Sequence, residues 1–364
     1  MISEFDQGPL PTCPAPFNMA QYVLAHGETT PDKIALSVLG VEDWTYSALR
    51  SAVLGTATGL LEAGAKPGDR VLMRLGNTVD FPLAYLGAIA AGLVPVPTAS
   101  ALTTREVAPM IETLNPALIL RDAQVECPDD TRIIPLEVLR AMRDLQPAQW
   151  HMGDPERAGY IIYTSGTSGK PRAVVHAQRA IWARQMMFDG WYGLGPNDRV
   201  LHAGAFNWTY TLGTGLMDPW TVGATALIPA VGTVATDLPA LIAKHKATIF
   251  AAAPGVYRQL LNQPDIAAMP DLRHGLSAGE KLPPATSAHW EAATGTRIFE
   301  AYGMSECSTL ISSSPEHPTA PTVLGRPQNG RRIALLGVEG PVPIGKEGTI
   351  AVHRSDPGLM LGYL

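Results

Sequence analysis

The chain has 364 residues, of which 46% are hydrophobic and 16% are charged, and its formal net charge is −6. This length and apolar content are enough for a large core divided between more than one subdomain. The negative balance, with no run of lysine or arginine, argues against nucleic acid as a partner.

The N-terminal and cysteine signals favour a reducing cytoplasm. The first residues, MISEFDQGPLPTCPAPFN, contain acids and prolines where a signal peptide needs a positive start and an apolar run. The longest apolar stretch, Phe81 to Val96, is interrupted by Pro82 and Pro95 and is too short to span a bilayer, so we interpret it as core. The cysteines fit neither a zinc spacing nor a disulfide framework: Cys13, Cys127 and Cys307.

Strand and helix signals alternate in the first third of the chain. Val71 to Leu75 is a predicted buried strand, Val79 to Ala91 an apolar-faced helix, and Leu93 to Val96 the next strand. This βαβ pattern predicts a parallel sheet, because parallel strands need a crossover that is usually a helix.

The same alternation continues further along. Thr103 and Glu106 form a predicted capping box for a helix that ends near Asn115, before a strand at Ala117 to Arg121. The strand–helix alternation returns later in the chain, with a helix at Leu238 to Lys246, a strand at Thr248 to Ala252 and a helix at Val256 to Asn262. Two parallel-sheet α/β units are therefore predicted.

A segment crowded with glycine and hydroxyl residues lies between these units, and it reads YTSGTSGKPRAVVH from Tyr163 to His176. Gly166 and Gly169 allow turns that aim several backbone N–H groups inward. Hydroxyl and cationic side chains add further donors: Thr164, Ser165, Thr167, Ser168, Lys170 and Arg172. Because apolar runs flank the segment, we predict a buried hairpin whose turn holds a phosphate.

This segment is not the common P-loop, GxxxxGK[ST]. Thr164 occupies the place of its first glycine, and Pro171 that of its final serine or threonine. A flexible glycine–serine linker is the alternative reading. A linker would not be bracketed by the apolar runs Tyr160 to Tyr163 and Ala173 to Val175, so we prefer the anion site.

A second polar cluster, EAYGMSE, runs from Glu300 to Glu306. It combines the ring of Tyr302, a turn at Gly303, the hydroxyl of Ser305 and the carboxylate of Glu306. These groups suit stacking of a base, donation to a phosphate and binding of Mg²⁺, which takes few carboxylates when substrate phosphates and water complete its shell. Taken alone, the same residues would be a turn with a solvated glutamate.

Together, the two segments resemble signatures of the acyl-adenylate-forming superfamily, which includes acyl-CoA synthetases, peptide-synthetase adenylation domains and beetle luciferases. The first segment resembles TSGTTGxPKG, from which it departs at Ser168, Arg172 and Ala173. The second resembles YGxTE, with Ser305 in place of threonine. Arg172 keeps the positive charge but changes the donor geometry.

The resemblance covers essentially the whole chain and implies an α/β fold. It implies two parallel-sheet α/β subdomains over residues 1–320 and the start of a small β-barrel subdomain over residues 321–364, where short strands are broken by glycine and proline. Family members continue to a TGD motif, a hinge and a mobile C-terminal lid domain that carries a lysine. None of these precedes Leu364, so we expect the large domain of a longer enzyme, impaired as it stands.

The resemblance also implies roles for individual residues. ATP would be bound by the phosphate segment and by parts of LSAGEKLPP and EAYGM: Thr164, Ser165, Gly166, Thr167, Ser168, Gly169, Lys170, Ser277, Ala278, Gly279, Glu280, Glu300, Ala301, Tyr302, Gly303 and Met304. The catalytic set would be Arg172, Ser305 and Glu306, with Glu306 also binding Mg²⁺. His202 is either a further catalytic residue or a satisfied structural histidine.

The implied reaction joins a small-molecule carboxylic acid to the α-phosphate of ATP and then passes the acyl group to coenzyme A. No protein nucleophile is required, because positioning and neutralisation of the triphosphate are sufficient. We predict neither the oligomeric state nor the substituents of the acid.

The segment VLHAGAFNWTYTLGTGL, from Val200 to Leu216, most resembles the acid pocket of benzoate and aminobenzoate CoA ligases. The implied pocket residues are Phe206, Trp208, Thr209, Tyr210, Thr309 and Leu310. Packing of the acid on aromatic rings would add roughly 0.5–1.5 kcal/mol beyond area burial. The alternatives are rings that only pack the core, a short aliphatic acid, an amino-acid adenylation domain with Asp218 as a poor partner for the ammonium group, and a nucleotide-binding fragment without activity.

Overall fold

The computed structural model describes residues 1–6, 8–164, 172–263, 266, 268–320 and 322–364. The strands in these ranges are β1 Glu4–Asp6, β2 Ile34–Val38, β3 Glu42–Thr45, β4 Arg70–Arg74, β5 Val94–Pro97, β6 Leu118–Arg121, β7 Ile133–Pro135, β8 Ala158–Thr164, β9 Arg172–Ala177, β10 Arg199–His202, β11 Thr225–Ile228, β12 Ile249–Ala252, β13 His274–Ser277, β14 Arg297–Met304, β15 Ser308–Ser312, β16 Arg326–Pro327, β17 Arg332–Gly337, β18 Gly340–Pro341, β19 Thr349–Val352 and β20 Gly362–Tyr363.

The α-helices in the same ranges are α1 Met19–Val23, α2 His26–Thr29, α3 Tyr46–Glu62, α4 Asp80–Ala90, α5 Thr104–Leu114, α6 Leu136–Ala141, α7 Ala180–Ala183, α8 Thr209–Leu212, α9 Asp218–Thr221, α10 Leu238–Lys244, α11 Pro254–Leu261 and α12 Pro284–Thr294. Two π-helical turns, Phe188–Tyr192 and Gly213–Met217, flank strand β10 and helix α8. Such turns frequently occur at functional sites.

Two sheets with parallel strands confirm the predicted α/β class. The smaller sheet has the order β5-β4-β6-β7 and is parallel throughout. The larger one has the order β16-β15-β14-β13-β12-β10-β11-β2-β3, with parallel pairs from β14 to β2 and antiparallel strands at both edges. Runs such as Val71 to Met73 are fully buried, as strands covered on both faces require.

The predicted elements of the first unit are confirmed. The apolar stretch around helix α4 is core, since every residue of that helix is buried. Pro82 lies in its first turn, where a missing N–H costs no intrahelical hydrogen bond. At helix α5, the Glu106 carboxylate accepts from the Thr103 backbone N–H at 2.9 Å. That helix ends where Asn115 adopts the left-handed conformation, with φ of 42°.

The predicted hairpin is also present. Strands β8 and β9 pair antiparallel, and Thr164 lies opposite Arg172 at the end nearest the turn. Ile161 packs in one apolar cluster with Val96 and Ile119 of the smaller parallel sheet. Strand β20 extends the hairpin by pairing with β9, with Tyr363 opposite Val174.

A small antiparallel sheet lies beyond residue 320, as predicted, with β17 paired to β18 and β19. Strand β1 also pairs with β17, so this sheet uses both ends of the chain. The division at residue 320 therefore does not follow the sheet boundaries, and closure of the sheet into a barrel stays a prediction. Cys13, Cys127 and Cys307 are free thiols. Among the described helices, none has both the length and the apolar character needed to cross a bilayer.

Candidate active site

Two adjoining cavities lie at the carboxyl ends of β13 and β14, the edge at which open α/β sheets bind ligands. The first cavity has a volume of about 420 Å³ and the second about 480 Å³. Gly279 and Gly303 line both of them, so the two cavities share a border.

The first cavity brings together most of the ATP-binding residues predicted in LSAGEKLPP and EAYGM. Those residues are Gly279, Glu280, Glu300, Ala301, Tyr302 and Gly303. Gly279 has a φ of 93°, which favours glycine. A Cβ on Gly303 would come within 2.3 Å of the Ser308 carbonyl oxygen, so only glycine lets strands β14 and β15 approach here. The Tyr302 ring is 37% exposed and can offer one face to a ligand.

Glu300 is fixed at the border of this cavity. Its carboxylate accepts a hydrogen bond from the Leu282 backbone N–H at 2.8 Å. Burial raises the pKa of the Glu300 carboxyl, an effect opposed by that hydrogen bond. The side chain is thus held by the protein backbone and braces the turn after β13.

The second cavity brings together residues predicted for phosphate and residues predicted for the acid. They are Thr164, Trp208, Thr209, Tyr210, Ala278, Met304, Ser305 and Thr309. Ser165, Gly166, Thr167, Ser168, Gly169 and Lys170 lie outside the described residues. Their phosphate cradle stays a prediction, although the hairpin positions both of its ends, Thr164 beside the cavity and Arg172 opposite it.

Tyr363 connects two of the predicted catalytic residues. Its hydroxyl donates to the Glu306 carboxylate at 2.8 Å, and its ring lies under the Arg172 guanidinium at 5.0 Å. The pairing of β20 with β9 brings this tyrosine to the hairpin. No sequence signal marked it, because the contact to Glu306 spans 57 residues.

The turn that carries Ser305 and Glu306 is attached to the hairpin through His176. The Ser305 carbonyl lies 2.7 Å from His176 Nε2. Burial lowers the pKa of His176 to about 4, so the ring is neutral at physiological pH and Nε2 carries the proton it donates. Tyr160 stacks on this imidazole with ring centroids 4.8 Å apart. The hairpin and the turn therefore form one support for the site.

Aromatic rings form one wall of the second cavity. The Tyr210 hydroxyl donates to the Leu276 carbonyl at 3.1 Å, and its ring stacks on the fully buried Trp191 at 5.7 Å. Burial raises the pKa of Tyr210 above its usual range, so the phenol stays protonated. Trp208 is 52% exposed at the cavity. This wall suits a flat apolar ligand.

Six predicted site residues in the described part of the chain line neither of these two cavities: Arg172, His202, Phe206, Ser277, Glu306 and Leu310. Leu310 is fully buried among Cys307, Ile311 and Ile333, because alternation along β15 turns it away from the cavity that Thr309 lines. Ser277 is fully buried within β13 and lines neither cavity.

Phe206 and His202 line a separate, third cavity of about 440 Å³ instead of the second. Phe206 packs on Phe81 at 5.8 Å. His202 is buried, burial lowers its pKa to about 3, and neither ring nitrogen has a partner among the described residues. The ring meets the edge of Tyr210 with centroids 4.4 Å apart, so the neutral His202 packs between Tyr210 and the third cavity.

Sequence reasoning missed five residues of the second cavity that carry polar groups: Tyr163, Arg184, Asn207, Thr214 and Ser308. The arginine in the otherwise apolar helical stretch AIWARQMMF was the only available signal for Arg184. It forms a buried pair with Asp218, whose oxygens accept from Arg184 Nε at 2.8 Å and Nη2 at 2.6 Å.

This α/β architecture, with paired cavities at the ends of parallel strands and a glycine-rich hairpin beside them, defines a nucleotide-binding class of protein. The model of the family described as AMP-binding enzyme matches residues 24–364. The chain therefore belongs to the AMP-binding enzyme family.

Relatives and solved structures agree with this assignment. The chain is 27% identical to a 3-hydroxybenzoate–CoA ligase of Aromatoleum sp. (strain CIB), covering 89% of this chain and 66% of that protein. It is 31% identical to a 3-hydroxybenzoate–CoA/4-hydroxybenzoate–CoA ligase of Thauera aromatica, covering 73% of this chain and 55% of that protein. The chain thus spans less than two thirds of the length of these curated relatives.

Among solved structures, a benzoate CoA ligase from Burkholderia xenovorans LB400 matches with a TM-score of 0.84 and 26% identity, over 95% of this chain and 73% of that one. An anthranilate CoA ligase in complex with anthranoyl-AMP matches with a TM-score of 0.88 and 22% identity, over 96% of this chain and 71% of that one. The second match supports the fold alone.

Proposed function

We propose that the chain carries the ATP and acid sites of an AMP-forming acid–CoA ligase that activates an aromatic carboxylic acid, benzoate-like or aminobenzoate. The observation that carries this proposal is the shared border of the two cavities at Gly279 and Gly303. A nucleotide in the first cavity and an acid in the second would meet beside Ser305 and Thr164.

The first half-reaction follows from charge. A carboxylate oxygen attacks the α-phosphorus of ATP, the bond from that phosphorus to the pyrophosphate oxygen breaks, and acyl-adenylate and pyrophosphate result. Both reactants are anions, so the site must neutralise the triphosphate and align the attack. We assign the Ser305 hydroxyl to the α-phosphate, Arg172 and the hairpin turn to the β- and γ-phosphates, and Tyr302 to the adenine face.

Glu306 is the residue that would hold Mg²⁺. Glu306 is partly exposed and its carboxylate accepts from Tyr363, whose ring also contacts Arg172. Among the described residues, no group of three or more His, Cys, Asp or Glu side chains forms a protein-only metal site. This donor set fits Mg²⁺, which binds through one or two carboxylates plus substrate phosphates. When bound, the ion would neutralise phosphate charge as pyrophosphate leaves.

In the second half-reaction the thiol of coenzyme A would displace AMP from the acyl-adenylate. The names of the relatives support this assignment, and we assign no described residue to coenzyme A. An amino-acid substrate is disfavoured, because Asp218 is fully buried and its carboxylate already accepts from Arg184 and Tyr192. The rings of Tyr210 and Trp208, which line the second cavity, support an aromatic acid over a short aliphatic one.

The test is calorimetric binding of a non-hydrolysable benzoyl-adenylate analogue, benzoyl sulfamoyladenosine, together with ATP titrations with and without Mg²⁺. Glu306→Gln should weaken Mg²⁺-dependent ATP binding by about 100-fold, the scale of losing one charge-stabilising group, and leave analogue binding largely intact. Glu316→Gln, at an exposed glutamate, is the matched control. Failure of the unaltered chain to bind the analogue would overturn the proposal, and equal loss of both ligands in Glu306→Gln would remove Glu306 from the metal site.

A further inference from the structure

Burying the Arg184–Asp218 pair beside a cavity has a high desolvation cost. The two side chains are 7% and 0% exposed, and taking both charges out of water costs several kcal/mol per ion before pairing repays it. Apolar residues of similar volume could fill the space at no loss of stability. The position of Arg184 on the lining of the second cavity therefore points to a ligand.

The hydrogen bonds around the pair leave defined donors and acceptors on the cavity side. Arg184 Nη1 donates to Ser308 Oγ at 2.7 Å, and its second N–H has no acceptor among the described residues. The Tyr192 hydroxyl donates its one proton to Asp218 at 2.8 Å. Thr214, which lies 2.9 Å from that hydroxyl, must then be the donor to it. Thr214 Oγ1 also accepts from Arg184 Nη2 at 3.4 Å, which leaves it one free lone pair.

The protonation state of this network is fixed. Burial raises the pKa of Tyr192 well above its usual range, so the hydroxyl remains a donor at physiological pH. Arg184 is always charged.

The backbone of Ser308 supports the same reading. This serine has a φ of 64°, in the left-handed region that residues other than glycine rarely adopt. Such strain costs about 1–3 kcal/mol and persists where the surroundings impose it, often at ligand sites. Here it holds the Ser308 hydroxyl on the Arg184 guanidinium, at the cavity wall.

Arg184 and Thr209 mark the inner end of the second cavity. Both also line a small inner space of about 10 Å³, shared with the buried Tyr85 and Tyr160. Thr164, where the hairpin turn begins, also lines the second cavity. An acid whose carboxylate lies beside Thr164 would extend its far side toward Arg184.

We propose that the second cavity selects an aromatic acid bearing a hydroxyl group remote from its carboxylate. That hydroxyl accepts from the free N–H of Arg184 Nη1 and donates to Thr214 Oγ1. This inference rests on the proposed function and adds the chemical class of its substrate.

The charge and the hydrogen-bonding groups of the Arg184–Asp218 pair favour a hydroxyl on the ligand ring over a carboxylate, an amine or no substituent. Asp218 neutralises Arg184, so the pair offers no net positive charge to compensate a second buried carboxylate. A ring amine would place N–H groups against the N–H of Arg184, whereas a hydroxyl both accepts and donates. An unsubstituted ring would leave the second N–H of Arg184 Nη1 without an acceptor from the ligand, which is unfavourable for a buried charged group.

The experiment measures binding of sulfamoyladenosine analogues to this chain by calorimetry. The acyl groups are benzoyl, 3- and 4-hydroxybenzoyl, 3- and 4-aminobenzoyl, and 4-carboxybenzoyl. We expect one hydroxybenzoyl analogue to bind about 10- to 100-fold more tightly than benzoyl, as expected for a hydrogen bond to a charged group. Equal affinity for benzoyl and both hydroxybenzoyl analogues, or a preference for the carboxylated or amino analogues, would overturn the inference and leave the proposed function standing. Binding of no analogue would instead contradict the proposed function.

Two variants test whether Arg184 and Thr214 cause the preference for hydroxybenzoyl analogues. Thr214→Val removes the acceptor for the ligand hydroxyl together with the donor to Tyr192, at nearly constant shape, and should reduce the hydroxyl preference to within about threefold. The double variant Arg184→Met/Asp218→Leu removes both charges together, which avoids leaving one of them buried alone, and should abolish the preference. Arg258→Met, at an exposed arginine, is the matched control. A hydroxyl preference that survives both cavity variants would contradict the assignment to Arg184 and Thr214.

Discussion

Two buried arginine–aspartate pairs, Arg184–Asp218 and Arg331–Asp356, both form hydrogen bonds to strand β15. Arg184 binds Asp218 through two nitrogens and lines the second cavity. Arg331 binds Asp356 at 2.6 Å, with both side chains fully buried, and lines none of the three site cavities described above. Both reach strand β15, where Arg184 contacts the Ser308 hydroxyl and Arg331 donates to the Thr309 carbonyl at 2.6 Å.

The difference between the pairs lies in what surrounds them. Arg331 contacts Cys307 and the Thr309 carbonyl of strand β15, so its charge only holds protein parts together. Arg184 is held by hydroxyls at a cavity large enough for a ligand. A buried charge at a cavity predicts recognition, whereas the same charge in a closed core predicts a structural role.

The largest effect is expected for Arg331→Met. Removing one partner leaves Asp356 as an uncompensated buried charge, so the free energy of unfolding should fall by about 3–5 kcal/mol. Urea denaturation measures this loss. Selectivity among the acyl-adenylate analogues should not change in the folded protein. Arg297→Gln, which breaks an exposed pair with Glu291, should cost no more than about 1 kcal/mol. A loss of similar size in the two variants, or altered selectivity in Arg331→Met, would erase the contrast between the pairs.

A smaller effect is expected for replacement of His202, a buried histidine whose ring nitrogens have no partner in the described part of the chain. Its pKa is lowered to about 3 by burial, whereas the unfolded chain titrates near 6.5, so its contribution to stability is present above pH 6.5 and is lost as pH falls toward 3. His202→Phe should make the free energy of unfolding less pH-dependent by about 1.4 kcal/mol per pH unit within that window.

Urea titrations at several pH values between 6.5 and 4 measure this slope. Part of the slope should remain in His202→Phe, since burial also lowers the pKa values of His176 and His274 to about 4. Parallel profiles for the variant and the unaltered chain would show that His202 is not buried in the neutral form.

The smallest effect is expected for Tyr363→Phe, at the residue that contacts both Glu306 and Arg172. The variant loses the hydrogen bond to Glu306 but keeps a ring beneath Arg172. Loss of about 0.5–1.5 kcal/mol should weaken Mg²⁺-dependent ATP binding by about two- to tenfold. The effect should disappear in a Glu306→Gln background, which a double-mutant cycle tests. Additive effects would show that Tyr363 does not act through Glu306.

Local pattern was sufficient for much of the fold. The hairpin around Tyr160, the helix after Thr103 and the buried helix α4 follow from apolar runs, a capping box and residue periodicity, which depend on neighbours in sequence. The pocket positions that the resemblance implied for Leu310 and Phe206 do not line the second cavity. Both are apolar residues next to true cavity residues, and only the direction of each side chain decides which space it lines.

The sequence by itself determined that a glycine-rich hairpin and a YGxSE turn belong to one nucleotide-binding α/β fold, because these features are encoded within short segments. Only the tertiary structure decided that Tyr363 meets Glu306, that β1 joins β17, and that Arg184 meets Ser308 across 124 residues of chain. Such contacts depend on how strands are ordered in the sheets and on which side chains face a shared space. Neither property is periodic in the sequence, so no local pattern records it.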